Sequence, residues 1–412
     1  MNTDDRTHDI AILRELTQRY VEVASKPIQD ARRDLWRRHN SLQSTPVPIY
    51  VRAFAWREMP ESVCQCLDPE YRAHEAWLRE MLYRDRLNDD YIMEPWITVR
   101  AACVTPDEGV WGVGHQWHGR EGGRAGVWDA PLETPEDLAK LVAPHHRIDE
   151  AETERRLSKL SDAIGDLIAI DVDRKPAYTM WDGDISTQLA YLRGLEQVMW
   201  DMLDRPAFLH ELLAFMRDGI LRTHQEAEEA GDWHLSSHIN QAMTYAQELD
   251  DPRANSAPVS RRQLWGYCAS QETTSVGPRL FDAFMLQYQI PIMRHFGLVA
   301  YGCCEDLTPR IPLLCQIPNL RRIAVSPMAD VARCAEQIGD AYVLSYRPSP
   351  TDMVGWGWDP ERAAAIMRQD LEACRGCIVD ITLKDVETVQ GDPQRVREWV
   401  QVARRVASEV LG

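Results

Sequence analysis

The sequence predicts an α/β protein folded as a (β/α)8 TIM barrel with a helical N-terminal extension, and three observations lead there. Eight short apolar runs punctuate the chain, at 47–54, 92–99, 177–181, 233–239, 298–303, 322–326, 341–345 and 377–383. Amphipathic helical stretches separate most of them. Strands that alternate with helices build a parallel sheet, and eight such repeats close it into a barrel. The length, 412 residues, suits one such barrel with insertions and does not demand two domains.

Taken in order, Ile10, Leu13, Leu16, Tyr20 and Val23 recur at helical spacing, and Ile28, Ala31 and Leu35 continue after Pro27. A helical extension over 1–45 therefore precedes a barrel over 46–412. Further helices are expected at 189–203, 206–230, 278–296, 328–338, 360–373 and 393–411. Asp359-Pro360-Glu361 sets an N-cap, a first-turn proline and a first-turn acid before one helix, and Gly391-Asp392-Pro393 does the same before the last. Two stretches exceed a minimal barrel. One, at about 105–126, contains the glycine-rich VWGVGHQWHGREGGRAG; the other, at about 242–259, is polar and ends in ELDDPRANSAPV. Both follow candidate strands, where barrel enzymes keep their loops of function, so they are lids, substrate walls or plain surface insertions.

Composition narrows the function. Hydrophobic residues at 44% and charged residues at 27% are an ordinary globular balance. With 46 Lys and Arg against 64 Asp and Glu, the net charge of -18 repels a polyanion, which argues against nucleic acid. No run approaches the roughly 20 apolar residues of a membrane span, and MNTDDRTHD is acidic where a signal peptide is basic, so a soluble cytoplasmic protein is expected. Ten cysteines scattered through a long chain are not a disulfide scaffold. Most read as small buried hydrophobes; the adjacent pair Cys303-Cys304 is the exception.

That pair lies in FGLVAYGCCED (296–306), where a strand delivers two thiols and two acids to the carboxyl edge of the barrel. Alternation places Tyr301, Cys303 and Glu305 on one face and Cys304 on the other, so the thiols share a site only if the strand breaks. Thiolate with carboxylate or imidazole is a zinc-type donor set, and His238, in WHLSSHIN, is the imidazole that barrel closure would supply. Cys303, Cys304, Glu305 and His238 are thus candidate metal ligands; the alternative is two buried thiols and a hydrogen-bonded core histidine. Lys384 and Asp385 end the last strand and either bind an anion, move a proton or pair with each other. Tyr346 and Arg347 end the strand before it, Arg347 as a clamp for a carboxylate or phosphate and Tyr346 as a catalytic candidate. Glu272, just beyond Cys268, is another candidate acid, and Asp182 and Asp184 in WDGDIS offer acid-base work or turn chemistry. Trp181, Tyr267 and Tyr301 are candidates to line a substrate. The CRGC at 374–377 reads as a helix end turning at Gly376 or as a redox motif; His145-His146 read as surface, and His115 with His118 lack a nearby cysteine.

The order of elements is familiar. FDAFMLQYQIPIMRHFG, VAYGCCED, LRRIAVSPMADV and the closing KDVETVQGDPQRVREWV, with DGDISTQLAYLRGLEQVMWDMLDRPAFLHELLAFMRDGI before them, resemble the uroporphyrinogen decarboxylase superfamily. That superfamily includes zinc-dependent methyltransferases acting on methylated corrinoid proteins. The decarboxylases' Arg-Gln-Ala-Gly-Arg motif is replaced by Val51-Arg52-Ala53-Phe54-Ala55-Trp56-Arg57, so the chain is more similar to the methyltransferase branch. Where that branch has His-x-Cys this chain has Tyr301-Gly302-Cys303, and Lys384 and its neighbours stand where a later cysteine belongs, with Cys304 and Glu305 available to compensate. The resemblance implies a barrel with its pocket at the carboxyl ends of the strands, a zinc ion there, a small methylated substrate and a corrinoid carried by a separate partner protein. Glu272 or Asp385 would then handle a proton, and a homodimer is expected from the frequency of dimers among soluble proteins. A second reading is a metal-free decarboxylase or lyase that fixes a small carboxylic acid with Arg347 or Arg52 and moves protons with Asp182 or Lys384. A barrel that only binds a ligand is the third.

Overall fold

A computed structural model describes residues 3–114, 116–118 and 127–412. The chain opens with helices α1 (Thr3–Ala24) and α2 (Pro27–Asn40), followed by strand β1 (Ile49–Val51) and helix α3 (Pro69–Arg84). Pro27 and Pro69 sit in first turns, and the Asp68 carboxylate accepts the free N–H groups of Glu70 and Tyr71 at the start of α3. Next come β2 (Trp96–Arg100), the hairpin β3 (Gln116–His118) and β4 (Val127–Asp129), helix α4 (Glu150–Ile164) and β5 (Ala169–Asp173). Leu13, Leu16, Tyr20, Leu78 and Leu160 knit α1, α3 and α4 into a small core beside the main one.

Helices α5 (Ser186–Arg193), α6 (Leu195–Asp204) and α7 (Pro206–Ala230) lead to β6 (Trp265–Cys268). After α8 (Pro278–Phe281) and α9 (Gln287–Met293) the chain alternates: β7 (Leu298–Tyr301), α10 (Ile311–Leu314), β8 (Leu320–Val325), α11 (Val331–Ile338), β9 (Val343–Tyr346), α12 (Pro360–Ala373), β10 (Ile378–Leu383) and α13 (Gln394–Leu411). Six strands form one parallel sheet in the order β1-β10-β9-β8-β7-β6, and β2 pairs with β5 in a separate parallel pair. The expected closed eight-stranded barrel is therefore corrected to a parallel half-barrel arc with a detached two-stranded ribbon.

The gaps have a physical reason: side chains satisfy the arc's two edges. At β1, Ile49 N–H donates to the Asp90 carboxylate (2.8 Å) and Val51 N–H to Asp89 (2.9 Å), while Asp90 N–H donates to Ile49 C=O (2.7 Å). At β6, Trp265 N–H donates to His238 Nδ1 (3.1 Å) and Ile239 N–H to Trp265 C=O (3.0 Å). Once those groups are paired, no neighbouring strand is needed to spare them a desolvation cost. Two expected strands fail accordingly. The 233–239 run is irregular chain along that edge, and 177–181 follows Pro176 into a short turn at Met180–Asp182, the strand lying earlier as β5. Pro176 has no ladder donor to offer.

Alternation along the arc builds a polar interior. On β10, Asp380, Thr382 and Lys384 share the inner face, while Val379, Ile381 and Leu383 join the apolar core with Trp399 and Val400 of α13. On β9, Ser345 and Arg347 share it. Near the amino ends, Asp380 accepts from Arg322 (2.6 Å) and pairs with His39 Nε2 of α2 (3.3 Å), with Ser345 and Thr382 hydroxyls each at 3.1 Å. The N-terminal extension thus plugs the bottom of the arc. The upper end of the same column carries Lys384 and Arg347.

Candidate active site at the carboxyl ends of the strands

The site begins where β7 stops. Gly302 adopts φ +100°, a conformation strained for any residue with a side chain, and a Cβ there would lie 2.6 Å from Leu307 Cδ1. The turn breaks the alternation, and the sulfurs of Cys303 and Cys304 come to 3.5 Å of each other, Cys303 buried and Cys304 exposed. Replacing Gly302 with Ala should cost about 1–3 kcal/mol and part the two sulfurs. Calorimetry together with thiol labelling checks both effects.

Lys384, only 3% exposed, reaches in from the end of β10 with Nζ 3.1 Å from Cys303 Sγ and 2.9 Å from Cys304 Sγ. Asp385 completes the cluster, its Oδ2 2.8 Å from Nζ and 3.7 Å from Cys304 Sγ. From the end of β9 the buried Arg347 donates to Cys303 C=O at 2.7 Å. The charges settle on one sulfur. The hydrogen bond from Cys304, then the nearby Arg347 and Lys384 charges, bring the Cys303 thiol down to about 4 against the opposing effect of burial. Cys304 moves the other way, because its proton is committed to that hydrogen bond and it is partly buried. Burial and Arg347 would lower Lys384; the Cys303 thiolate, Asp385 and Cys304 outweigh them and raise it. These directions favour the thiolate on Cys303, facing the Lys384 ammonium, with the proton kept on Cys304.

Tyr267 of β6 stands beside this pair, donating to Gly302 C=O (3.3 Å) and accepting from Gln241 Nε2. Trp181 packs edge-on against it with ring centroids 5.7 Å apart. Beyond, at the ends of β2 and β5, a cleft of about 520 Å³ is lined by Arg100, Cys103, Asp173, Lys175, Thr179 and Asp182. Asp182 accepts from Gln188 (2.8 Å). Glu272 accepts from the hydroxyls of Ser186 (2.7 Å) and Thr187 (2.9 Å), and the same Thr187 hydroxyl lies 3.0 Å from the buried Asp184.

Other candidates sit elsewhere. Tyr346 points away from the interior because Ser345 and Arg347 take the inner face; its hydroxyl donates to Asp370 on α12. Tyr301 likewise turns to the helix layer, donating to Gln289 on α9 (2.7 Å). His145 pairs with Glu226, His146 with Asp232 and His118 with Asp129. His115 and most of the glycine-rich stretch lie outside the described residues. The CRGC segment turns at Gly376, φ +87°, with Cys374 buried.

The zinc donor set is not assembled. Glu305 is buried and spends its carboxylate on the N–H groups of Ser270 (2.8 Å) and Cys303 (2.7 Å), holding the thiol loop in place. His238 is bound at Nδ1 to the β6 edge, and burial brings it down to about 3, so it is a neutral edge cap. Among the described residues, no three His, Cys, Asp or Glu side chains form a metal-binding group. With an ammonium against both sulfurs, the residues present do not fit zinc.

No family model matches the sequence, and no curated protein matches it. Among solved structures, a methyltransferase from Methanosarcina mazei aligns over 90% of this chain and 97% of its own, with a TM-score of 0.49 and 13% identity. No helix of the described residues is long and apolar enough to cross a membrane.

Proposed function

We propose that this protein is a methyltransferase whose Cys303 thiolate takes a methyl group from a small methylated substrate at the mouth of the arc. The observation that carries this reading is Lys384 Nζ at 3.1 Å and 2.9 Å from the two sulfurs, with Asp385 fixing the ammonium. A thiol held as thiolate at neutral pH is a soft nucleophile suited to saturated carbon. Sulfur attacks in line, the new S–C bond forms and the bond to the donor atom breaks. Tyr267 binds the Gly302 carbonyl next to Cys303, and Trp181 packs against its ring, an aromatic pair on the Cys303 side of the arc. A methyl thioether is a poor leaving group, so onward transfer calls for a stronger nucleophile, of the kind a corrinoid-carrying partner protein offers.

The decarboxylase reading is less well served, because Arg347 is 3% exposed and engaged with Cys303 C=O, where a substrate carboxylate would need it free. Incubation with a panel of methoxy, methylamine and methylsulfonium donors, followed by peptide mass spectrometry, tests the proposal. Methylation at Cys303 in the native chain, absent from Cys303→Ser, is the outcome it requires. No methylation from any donor class would sink it.

A further inference from the structure

We propose that the Lys384 ammonium takes the place of a metal ion in this dithiol site, charging Cys303 before transfer and handing its proton to the donor's leaving atom as transfer occurs. The second half rests on the methyl-transfer reading above; the first does not.

Geometry and charge counting carry the first half. Zinc held by thiolates sits about 2.3 Å from each sulfur. With sulfurs 3.5 Å apart and Nζ 3.1 Å and 2.9 Å from them, any such point lies within about 4 Å of the ammonium, where a dication meets a like charge at partly buried range. The charges already balance: Lys384 and Arg347 are positive, Cys303 and Asp385 negative, and Cys304 keeps its proton. Glu305, Tyr267 and Gln241 also face Cys303, the first tied to two backbone N–H groups and the others neutral. A divalent ion on these sulfurs would have to sit against the ammonium that already neutralises them.

The second half follows from what methylation does to that balance. For a methoxy donor, Cys303–S⁻, CH3–O–R and Lys384–NH3⁺ become Cys303–S–CH3, HO–R and Lys384–NH2. The S–C bond forms, the C–O bond breaks with its electron pair on oxygen, and oxygen takes the Nζ proton. The thioether is neutral, so the buried ammonium loses the thiolate that held it charged, and burial then favours the free amine. The Lys384 and Cys303 charges vanish together, leaving Arg347 and Asp385 as the remaining opposite charges of the cluster. A methylsulfonium or quaternary ammonium donor departs neutral and needs no proton.

Two experiments on the full-length chain separate the halves. In a titration with Co(II), followed by thiolate-to-cobalt absorbance, the native chain should give no band, while Lys384→Ala should gain one as the two thiols and Asp385 are freed. A stoichiometric band in the native chain overturns the metal replacement; absence from both overturns the claim that Lys384 is what excludes the metal. Lys384→Arg keeps the charge but holds its proton. Its loss of Cys303 methylation should be about 100-fold or more greater with a methoxy donor than with a sulfonium donor. Equal losses with both donors overturn the acid role. A native chain that accepts methyl from neither would contradict the methyl-transfer reading instead, and would leave the cobalt outcome standing.

Discussion

Cys303→Ser should leave the protein folded and reduce methyl transfer at least about a thousandfold, because a serine hydroxyl at neutral pH is neither ionised by a nearby ammonium nor soft. The substitution is nearly isosteric, and the backbone N–H that binds Glu305 at 2.7 Å is retained, so the loop keeps its anchor. Cys304→Ser separates the two thiols' roles. Its hydroxyl still donates to the Cys303 sulfur, so activity should stay within about tenfold, while Cys304→Ala removes that donor and raises the pH at which Cys303 ionises. Steady-state kcat/KM across the three variants, with circular dichroism as the folding control, reads the difference.

Asp380→Ala should cost about 3–5 kcal/mol, the penalty of stranding one member of a buried ion pair. Arg322 is buried, donates to Asp380 at 2.6 Å and to Ser345 at 3.0 Å, and among the described residues has no other carboxylate within ion-pair reach. His39 loses its partner too, loosening the α2 plug. Pairing Asp380→Leu with Arg322→Met should recover most of the loss, since two apolar residues of similar volume leave no charge stranded. Burial works against the Asp380 carboxylate, but Arg322 and then His39 outweigh it and hold the carboxyl below its usual range. Its contribution to stability is therefore full above the ordinary carboxylate range and is lost as pH falls through the lowered native value. Denaturant melts of the native chain and both variants, at neutral and acid pH, check the sign and the size.

The residues that were legible in the sequence are those whose position depends on where a strand ends. A run as apolar as LVAY followed by GCCED, or IVDITL followed by KD, fixes an edge, and Cys303, Cys304, Lys384 and Asp385 do meet there. Parity was harder. Tyr346 and Tyr301 sit one residue from inward-facing positions, and a one-residue difference reverses the face. His238 and Glu305 carried ligand-type side chains, but what they bind is backbone N–H, a partner no side-chain pattern announces. β5 was hidden because Asp171 and Asp173 interrupt AIDVD, although both are buried, and with it went the cleft residues Asp173 and Lys175. β6 was hidden because WGYC is short and carries Gly266, where the Phe296 ring packs so closely that a Cβ would lie 2.6 Å from it. Gln241 lay in irregular chain, with no period to reveal it. Barrel closure was the reasonable expectation from eight apolar runs; it gave way because Asp89, Asp90 and His238 satisfy the edges that further strands would have covered.

Methyl transfer to Cys303 depends on the charge state of that sulfur, and the pH dependence of its alkylation by iodoacetamide, read by peptide mass spectrometry, measures it. An ordinary thiol near 8.5 gains close to a hundredfold in rate between pH 6 and pH 8, whereas a thiol already ionised is nearly flat over that range, whatever its intrinsic nucleophilicity. With Cys303 brought down to about 4, its rate should change less than about twofold there and fall only in acid. A Cys303 rate that climbs with pH like that of any free cysteine would mean that Lys384 and Cys304 do not hold a thiolate, and methyl transfer to this sulfur would have no basis.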